Sequence, residues 1–209
     1  MVEPRLFQGK RLRIAVLTAD VRLAARVLDE ALRRGLHADH VVRVEDIPLS
    51  AKVVVAKRGE FQGISHPSTI YADDFSSPTS LLDRAVELAY SKKEVKNVVI
   101  AVDPGKTVGA AFLADDALIR VESFNDVQRF ADSAAEFFKS HPSSKQTILL
   151  GEGAPEFREE IVKELLLKTD EIKPESIRLV SERNTTKLAG GVDELAAALL
   201  PRMRRRSSK

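Results

Sequence analysis

The most constraining feature of this chain is an uninterrupted apolar run, Val98 to Val102, that ends in a carboxylate, Asp103. Five consecutive apolar residues of this kind predict a strand that is covered on both faces. Pro104-Gly105 then turns the chain into a second apolar run, Val108 to Leu113. A carboxylate at the end of a central strand loses hydration unless something stabilises its charge. We therefore expect a divalent cation or a phosphate-bearing ligand near Asp103.

Composition excludes several classes of site. Of the 209 residues, 44 % are hydrophobic and 31 % are charged, which is typical of a globular chain and not of a disordered one. The absence of cysteine excludes disulfides, thiolate nucleophiles and cysteine-ligated zinc. The four histidines are scattered without metal-ligand spacing. Because the sequence has no apolar signal core and no membrane-spanning stretch, we expect a cytoplasmic protein.

The charge of the chain is small in total but uneven along its length. A net charge of +2 does not demand a nucleic-acid partner. The tail from Pro201 to Lys209 nevertheless concentrates cations, and two interpretations of it stay open. It is either a solvated tail that complements the dipole of a preceding helix, or an arm that contacts phosphates. The second interpretation involves Arg202, Arg204, Arg205 and Arg206.

The pattern predicts an N-terminal domain over residues 1–92, a small α/β (Rossmann-like) unit of unknown role. Four strands are expected at Leu12–Leu17, His40–Val44, Val53–Ala56 and Thr69–Tyr71. The first helix is expected to begin after an Asp20 cap and to end at Gly35, and a second to begin at Ser77-Pro78. The core stripe predicted for the first helix consists of Leu23, Val27, Leu28 and Leu32.

The end of the first strand, Thr18-Ala19-Asp20, is a place where open α/β sheets bind ligands. No glycine-rich phosphate loop accompanies it, so a helix cap is the better explanation of Asp20.

A charged connector, Ser91 to Lys96, leads into a second domain over residues 93–209. Its predicted order is βββαβαβα. A meander of three strands is followed by a helix from Asn125, with Gln128 completing a capping-box-like pair. The fourth strand is expected at Thr147–Leu150, and the helix after it begins at Pro155. The fifth strand and the last helix are expected at Ile177–Val180 and Val192–Met203.

Three acidic residues fall at the ends of elements in this order. Asp103 ends the first strand, Glu152 follows the fourth, and Asp193 lies in the first turn of the last helix. If the first and fourth strands are parallel neighbours, Asp103 and Glu152 emerge at the same sheet edge. Carboxylate clusters of this kind suit Mg²⁺, which keeps positions for waters and phosphate oxygens.

These features resemble the ribonuclease H-like superfamily. The run Asp103-Pro-Gly-Lys-Thr-Val-Gly-Ala-Ala is similar to the Asp-x-Gly…Gly-x-Ala opening of RuvC-type Holliday-junction resolvases and their YqgF relatives. Gly151-Glu152-Gly153 occupies the position of their fourth-strand acid, and Val192-Asp193-Glu194 is similar to their final-helix segment. The resemblance covers roughly residues 96 to 203. The whole chain also resembles an uncharacterised archaeal family with a small N-terminal α/β half.

The resemblance implies a metal-dependent nuclease in which Asp103, Glu152 and Asp193 are catalytic ligands of Mg²⁺ or Mn²⁺. It also implies a nucleic-acid partner and a possible homodimer, since a four-way junction offers two symmetric strands. The sequence departs from the motif at Gly190, where resolvases usually carry a further acid or histidine.

Other cations and acids surround this motif in the sequence. Lys106, Arg183 and Lys187 are candidate phosphate contacts. Lys106 is alternatively a cap of the hairpin turn. Glu182 and Glu194 could substitute for the ligand missing at Gly190, but neither matches the motif.

Alternatives remain at each position and for the function. Asp103 could be a turn former and Asp193 a first-turn acid favoured by the helix dipole, whereas nothing local requires a carboxylate at Glu152. A second function is a non-catalytic nucleic-acid-binding module with a degenerate site, motivated by Gly190 and the basic tail. A third is a single-domain nucleotide-binding relative of actin-like ATPases, in which an Asp-x-Gly turn holds phosphate.

Overall fold

A computed structural model of the chain describes residues 12–90, 94–115, 117–152, 155–168 and 170–180. Within these ranges the protein is of the α/β class, with two separate sheets and four α-helices. The chain divides between Lys93 and Glu94 into two compact units, an N-terminal unit and a C-terminal unit. In the described part of the chain, no helix is long and apolar enough to cross a membrane.

The N-terminal unit is built on a four-stranded parallel sheet with the order β2-β1-β3-β4. Its elements in chain order are β1 (Arg13–Leu17), α1 (Val21–Arg33), β2 (His37–Val41), β3 (Val53–Ala56), β4 (Thr69–Tyr71) and α2 (Pro78–Ala89). The strand predictions for β1, β3 and β4 are confirmed, and so are the Asp20 cap of α1 and the Ser77 cap of α2.

The predicted position of β2 was wrong by three residues. The sequence pattern favoured His40–Val44, but the strand covers His37–Val41. In this register Asp39 pairs with Arg13 of β1, and the Arg13 Nε to Asp39 Oδ2 distance is 2.6 Å. Val42, which the pattern counted as part of the strand, is 53 % exposed. Polar pairing with β1 therefore selects this register over the more apolar alternative.

The buried face of α1 also differs from the predicted stripe. Only Val27 of the four predicted residues is buried, and Leu32 is 78 % exposed. The helix instead buries Glu30, whose Oε1 lies 2.6 Å from Arg34 Nε, and Arg34 Nη1 lies 2.7 Å from Asp83 Oδ1 of α2. Burial opposes the charge of Glu30, yet the Arg34 guanidinium holds the pKa of Glu30 below its usual value. This ion network sets the rotation of α1.

The C-terminal unit is built on a five-stranded sheet with the order β7-β6-β5-β8-β9. Its elements in chain order are β5 (Asn97–Asp103), β6 (Val108–Ala114), β7 (Ala117–Phe124), α3 (Val127–Lys139), β8 (Lys145–Gly151), α4 (Pro155–Leu166) and β9 (Ile177–Val180). The first three strands form an antiparallel meander, whereas β8 and β9 join it in parallel.

The order βββαβαβ is therefore confirmed up to β9. The predicted final helix, Val192–Met203, lies outside the described residues. The start of α3 was predicted one residue early. Asp126, and not Asn125, is the N-cap, because its Oδ1 accepts a hydrogen bond of 2.8 Å from the Gln128 amide.

One core cluster of the C-terminal unit fixes the sheet and its two helices to each other. The even-numbered residues of β5, Val98, Ile100 and Val102, point into it, together with Ile148 and Leu150 of β8. Helix α3 contributes six side chains, three of them phenylalanines, and α4 contributes Ile161 and Leu165, all of them buried. Dense apolar packing on this side holds the strand ends of β5 and β8 in fixed register.

Candidate active site

The carboxyl ends of β5 and β8 bring two of the predicted acids to one edge of the C-terminal sheet. The two strands are parallel neighbours, as the sequence analysis required. Val102 of β5 pairs with Leu150 of β8, so that Asp103 and Gly151 are the next residues on the two strands. Glu152 follows Gly151 directly. Since neighbouring strands lie about 4.8 Å apart, the backbones of Asp103 and Glu152 are within one strand spacing or so of each other.

The side chain of Asp103 is placed by the pleat of β5. The residue continues the alternation of Val99 and Ala101, on the face opposite to the helix-covered core. It is half-buried, and its partner in β6 is Gly109. Because glycine has no side chain, β6 presents only backbone beside the Asp103 carboxylate.

Glu152 is more exposed than Asp103, and it is not held within a strand. It lies just beyond the last residue of β8 and is exposed. Its backbone carbonyl accepts a hydrogen bond of 3.3 Å from Arg158 Nη1 of α4. Among the described residues, none donates to the Glu152 carboxylate or pairs with it. Within the described ranges its charge is therefore left without a counter-ion.

The turn between β5 and β6 adds polar groups to the same edge. Lys106 is exposed there, while Pro104 is buried and anchors the turn. Thr107 Oγ1 donates to Asn125 Oδ1 at 3.3 Å, which ties this turn to the end of β7. The sequence analysis missed Thr107 and Asn125 as edge residues. The antiparallel pairing of β6 with β7 is the signal that places both of them here.

The corresponding edge of the N-terminal unit confirms the structural interpretation of Asp20. Its Oδ1 accepts from the amides of Arg22 and Leu23, at 3.1 and 3.0 Å, and its Oδ2 lies 3.0 Å from Lys57 Nζ. The Leu23 amide and the Lys57 ammonium hold the pKa of Asp20 below its usual value. Every oxygen of this carboxylate is thus used within the fold.

A second carboxylate at the N-terminal edge is satisfied in the same way. Glu60 Oε2 accepts from Thr18 Oγ1 at 2.7 Å and from the Ala19 amide at 2.9 Å. Lys57 Nζ lies 4.0 Å from the other oxygen of Glu60. The loop after β3 is therefore bonded across the end of β1, which explains the polar residues at this position without a ligand.

The donor chemistry of the C-terminal edge fits a hard divalent cation. Two carboxylates at adjacent strand ends, one of them without a protein partner among the described residues, are the oxygen ligands that Mg²⁺ and Mn²⁺ prefer. Within the described ranges, no group of three histidine, aspartate or glutamate residues is close enough to hold a metal ion. The third expected ligand, Asp193, lies outside those ranges, as do Arg183, Lys187, Arg202, Arg204, Arg205 and Arg206.

Neither a family model nor a curated protein sequence matches this chain. Its function is therefore argued from the residues themselves. The strongest local arrangement is the carboxyl edge of the C-terminal sheet, which consists of the Asp103–Thr107 turn, Asn125 and Glu152. It combines oxygen ligands with an exposed cation, Lys106, on one side of a rigid sheet.

Proposed function

We propose that this chain is a metal-dependent nuclease that hydrolyses phosphodiester bonds in structured nucleic acid, such as branched DNA or an RNA–DNA hybrid. The observation that carries the proposal is the parallel β5–β8 pairing, which sets Asp103 and Glu152 at one edge. The strand order β7-β6-β5-β8-β9 and the element order up to β9 support a ribonuclease H-like topology for the C-terminal unit.

In this proposal Asp103 and Glu152 hold Mg²⁺ or Mn²⁺, with Asp193 as the third ligand that the resemblance implies. An ion held there would supply Lewis-acid chemistry for the attack of water on a phosphodiester. Asp103 contributes a carboxylate fixed by the pleat, and Glu152 contributes a carboxylate that can adjust, because it lies beyond the end of the strand. Lys106 would contact a phosphate oxygen of the substrate beside them.

The rigid placement of Asp103 matters for hydrolysis. A ligand on a central strand, packed against α3 and α4 through its neighbours, cannot move away when the phosphate charge develops. These features support phosphoryl chemistry at this edge in preference to the N-terminal one, where the carboxylates are already bonded within the chain.

The test uses the full chain with Mg²⁺ or Mn²⁺ on a four-way junction, an R-loop and an RNA–DNA hybrid. We expect cutting of at least one substrate, and a loss on the order of a hundredfold or more in Asp103→Asn and in Glu152→Gln. Asp20→Asn, at the N-terminal edge, is the matched control and should cut normally. The proposal fails if no substrate is cut with either ion, or if Asp103→Asn cuts as the unaltered protein does.

Binding assays in the same experiment separate the alternatives. Salt-sensitive binding of all three substrates without any cutting would favour the non-catalytic binding module. Stoichiometric binding of ATP by the Asp103–Thr107 turn, lost in Asp103→Asn, would favour the actin-like alternative. A homodimer and a cytoplasmic location remain predictions from the sequence.

A further inference from the structure

A cavity of about 570 Å³ lies in the C-terminal unit at the end of the sheet opposite to the carboxyl edge. The end of α3, the beginning of β8 and the segment before β9 form its walls. Its volume is within the range of about 300 to 1,000 Å³ that small-molecule sites occupy. Because β8 has seven residues, the cavity is about 20 Å from Glu152 along the strand.

Three lysines from different elements line this cavity. Lys139 ends α3, Lys145 begins β8, and Lys173 precedes β9. All three lysines are exposed. In the described part of the chain, no carboxylate oxygen lies within 4.0 Å of any of the three ammonium groups, so none of them forms an ion pair there. The nearby Lys168, by contrast, pairs with Asp132. The cavity thus gathers ammonium groups with which no described carboxylate forms an ion pair.

The other residues of the lining include acidic and apolar side chains, and they restrict the class of ligand that the cavity can bind. Asp170, Glu171 and Glu175 also line the cavity, and none of them pairs with the three lysines. Carboxylates next to a phosphate subsite accept hydrogen bonds from ribose hydroxyls in nucleotide-binding proteins. The exposed Pro142 adds an apolar surface of the kind against which a base packs. A simple inorganic anion would bind the lysines and would form no favourable contact with these three carboxylates.

We propose that this cavity binds a nucleotide, with its phosphate on Lys139, Lys145 and Lys173 and its ribose hydroxyls on the neighbouring carboxylates. The nucleotide comes either free from solution or as one unit of a nucleic-acid strand. The shared chemistry is a phosphate attached to a ribose that keeps a free 2′-hydroxyl. The proposal does not depend on the nuclease activity, because it uses none of the residues at the carboxyl edge.

The first arm of the test titrates ADP into the full chain by calorimetry. If the nucleotide is free, we expect saturable binding of one ADP per chain and a rise in Kd of about tenfold or more in Lys139→Ala/Lys173→Ala. Lys163→Ala is the matched control, since Lys163 is an exposed lysine of α4 outside the lining, and it should bind ADP normally. All the substituted side chains are exposed, so unchanged melting temperatures will verify folding.

The second arm measures binding of a 20-base-pair RNA–DNA hybrid, and of a DNA duplex of the same length that lacks 2′-hydroxyls, at several salt concentrations. If the nucleotide belongs to a strand, the double variant should bind more weakly. The magnitude of the slope of log K against log salt should decrease by roughly one to two, because each phosphate contact that is lost lowers this magnitude by about 0.9. Both arms are run without divalent ions, so that metal-dependent binding at the proposed nuclease site does not contribute.

The inference is overturned if neither ADP nor the duplexes bind. It is equally overturned if the double variant binds both ligands as tightly, and with the same salt slope, as Lys163→Ala does.

Discussion

The two sheets of this protein treat the carboxylates at their strand ends in opposite ways. In the N-terminal unit, Asp20 and Glu60 are bonded to backbone amides, to Thr18 and to Lys57. In the C-terminal unit, the Glu152 carboxylate is exposed, and no described residue pairs with it. Position at the end of a strand is therefore a poor criterion of function by itself. The useful criterion is whether the chain supplies the counter-charge.

The largest expected effect is a loss of stability at Glu30 and Asp83, two carboxylates that share one guanidinium within the N-terminal unit. Arg34→Ala removes the guanidinium that Glu30 and Asp83 share, with side chains 9 %, 6 % and 6 % exposed. Loss of one partner from such a buried network destabilises by about 3–5 kcal/mol, since buried charges lose compensation. Urea unfolding measures this. Arg43→Ala, in the exposed Arg43–Asp46 pair, is the control and should have little effect. Equal small effects in both variants would contradict the comparison.

The next effect concerns the two acids at the carboxyl edge of the C-terminal sheet, Asp103 and Glu152. Mn²⁺ should raise the melting temperature of the C-terminal unit, with a stabilisation of about 2.7 kcal/mol at a concentration one hundred times Kd. Protons compete with metal for carboxylates, so this stabilisation should weaken as the pH falls. Asp103→Asn and Glu152→Gln should remove it, whereas Asp20→Asn should keep it. A shift that persists in Asp103→Asn would place the ion elsewhere.

A smaller effect is expected for acid unfolding of the N-terminal unit. The Leu23 amide and Lys57 lower the pKa of folded Asp20, so its contribution to stability is complete above the unfolded pKa of about 3.9. That contribution is lost as the pH falls through the lower folded pKa. Asp20→Ala should reduce the melting temperature at pH 7 by on the order of a few degrees. The difference from the unaltered protein should shrink as the pH falls below about 3.9, and a constant difference would argue against the linkage.

The smallest expected effect is the difference in stability between alanine substitutions at two glycines, Gly35 and Gly105. Gly35 ends α1 with φ of +67°, so Gly35→Ala should destabilise by about 1 kcal/mol. Gly105, beside Asp103, does not have a positive φ, and an added Cβ would meet the nearest atom, Thr107 O, at 3.5 Å. Gly105→Ala should therefore change stability by less than about 0.5 kcal/mol. Thermal unfolding of both variants decides this, and a large loss at Gly105 would show strain in the turn.

Much of the backbone was predictable because its signals are local. The apolar run before Asp103, the Asp20 cap and the Ser77-Pro78 start each depend on a few adjacent residues, and each is confirmed. The errors at β2 and α1 arose where long-range ion pairs outweigh apolar patterning. Arg13 selects the register of β2 through Asp39, and Arg34 turns Glu30 toward α2.

The candidate sites show the same limit. Asp103 and Glu152 could be placed together from the sequence, because parallel strands bring their carboxyl ends to one edge. The cavity could not be predicted, because Lys139, Lys145 and Lys173 belong to three different segments. No spacing rule connects them, and only the folded sheet assembles their side chains around one space.

The β5–β8 pairing also has a consequence for the order of folding. The meander of β5, β6 and β7 closes through two short turns, whereas β8 must find β5 across a much longer loop, with Ile148 opposite Ile100. Closing that loop costs more chain entropy, so contacts of high sequence separation form late. The edge that holds Asp103 and Glu152 is then completed near the end of folding. A nascent or partly unfolded chain would carry both acids and yet be unable to use them together.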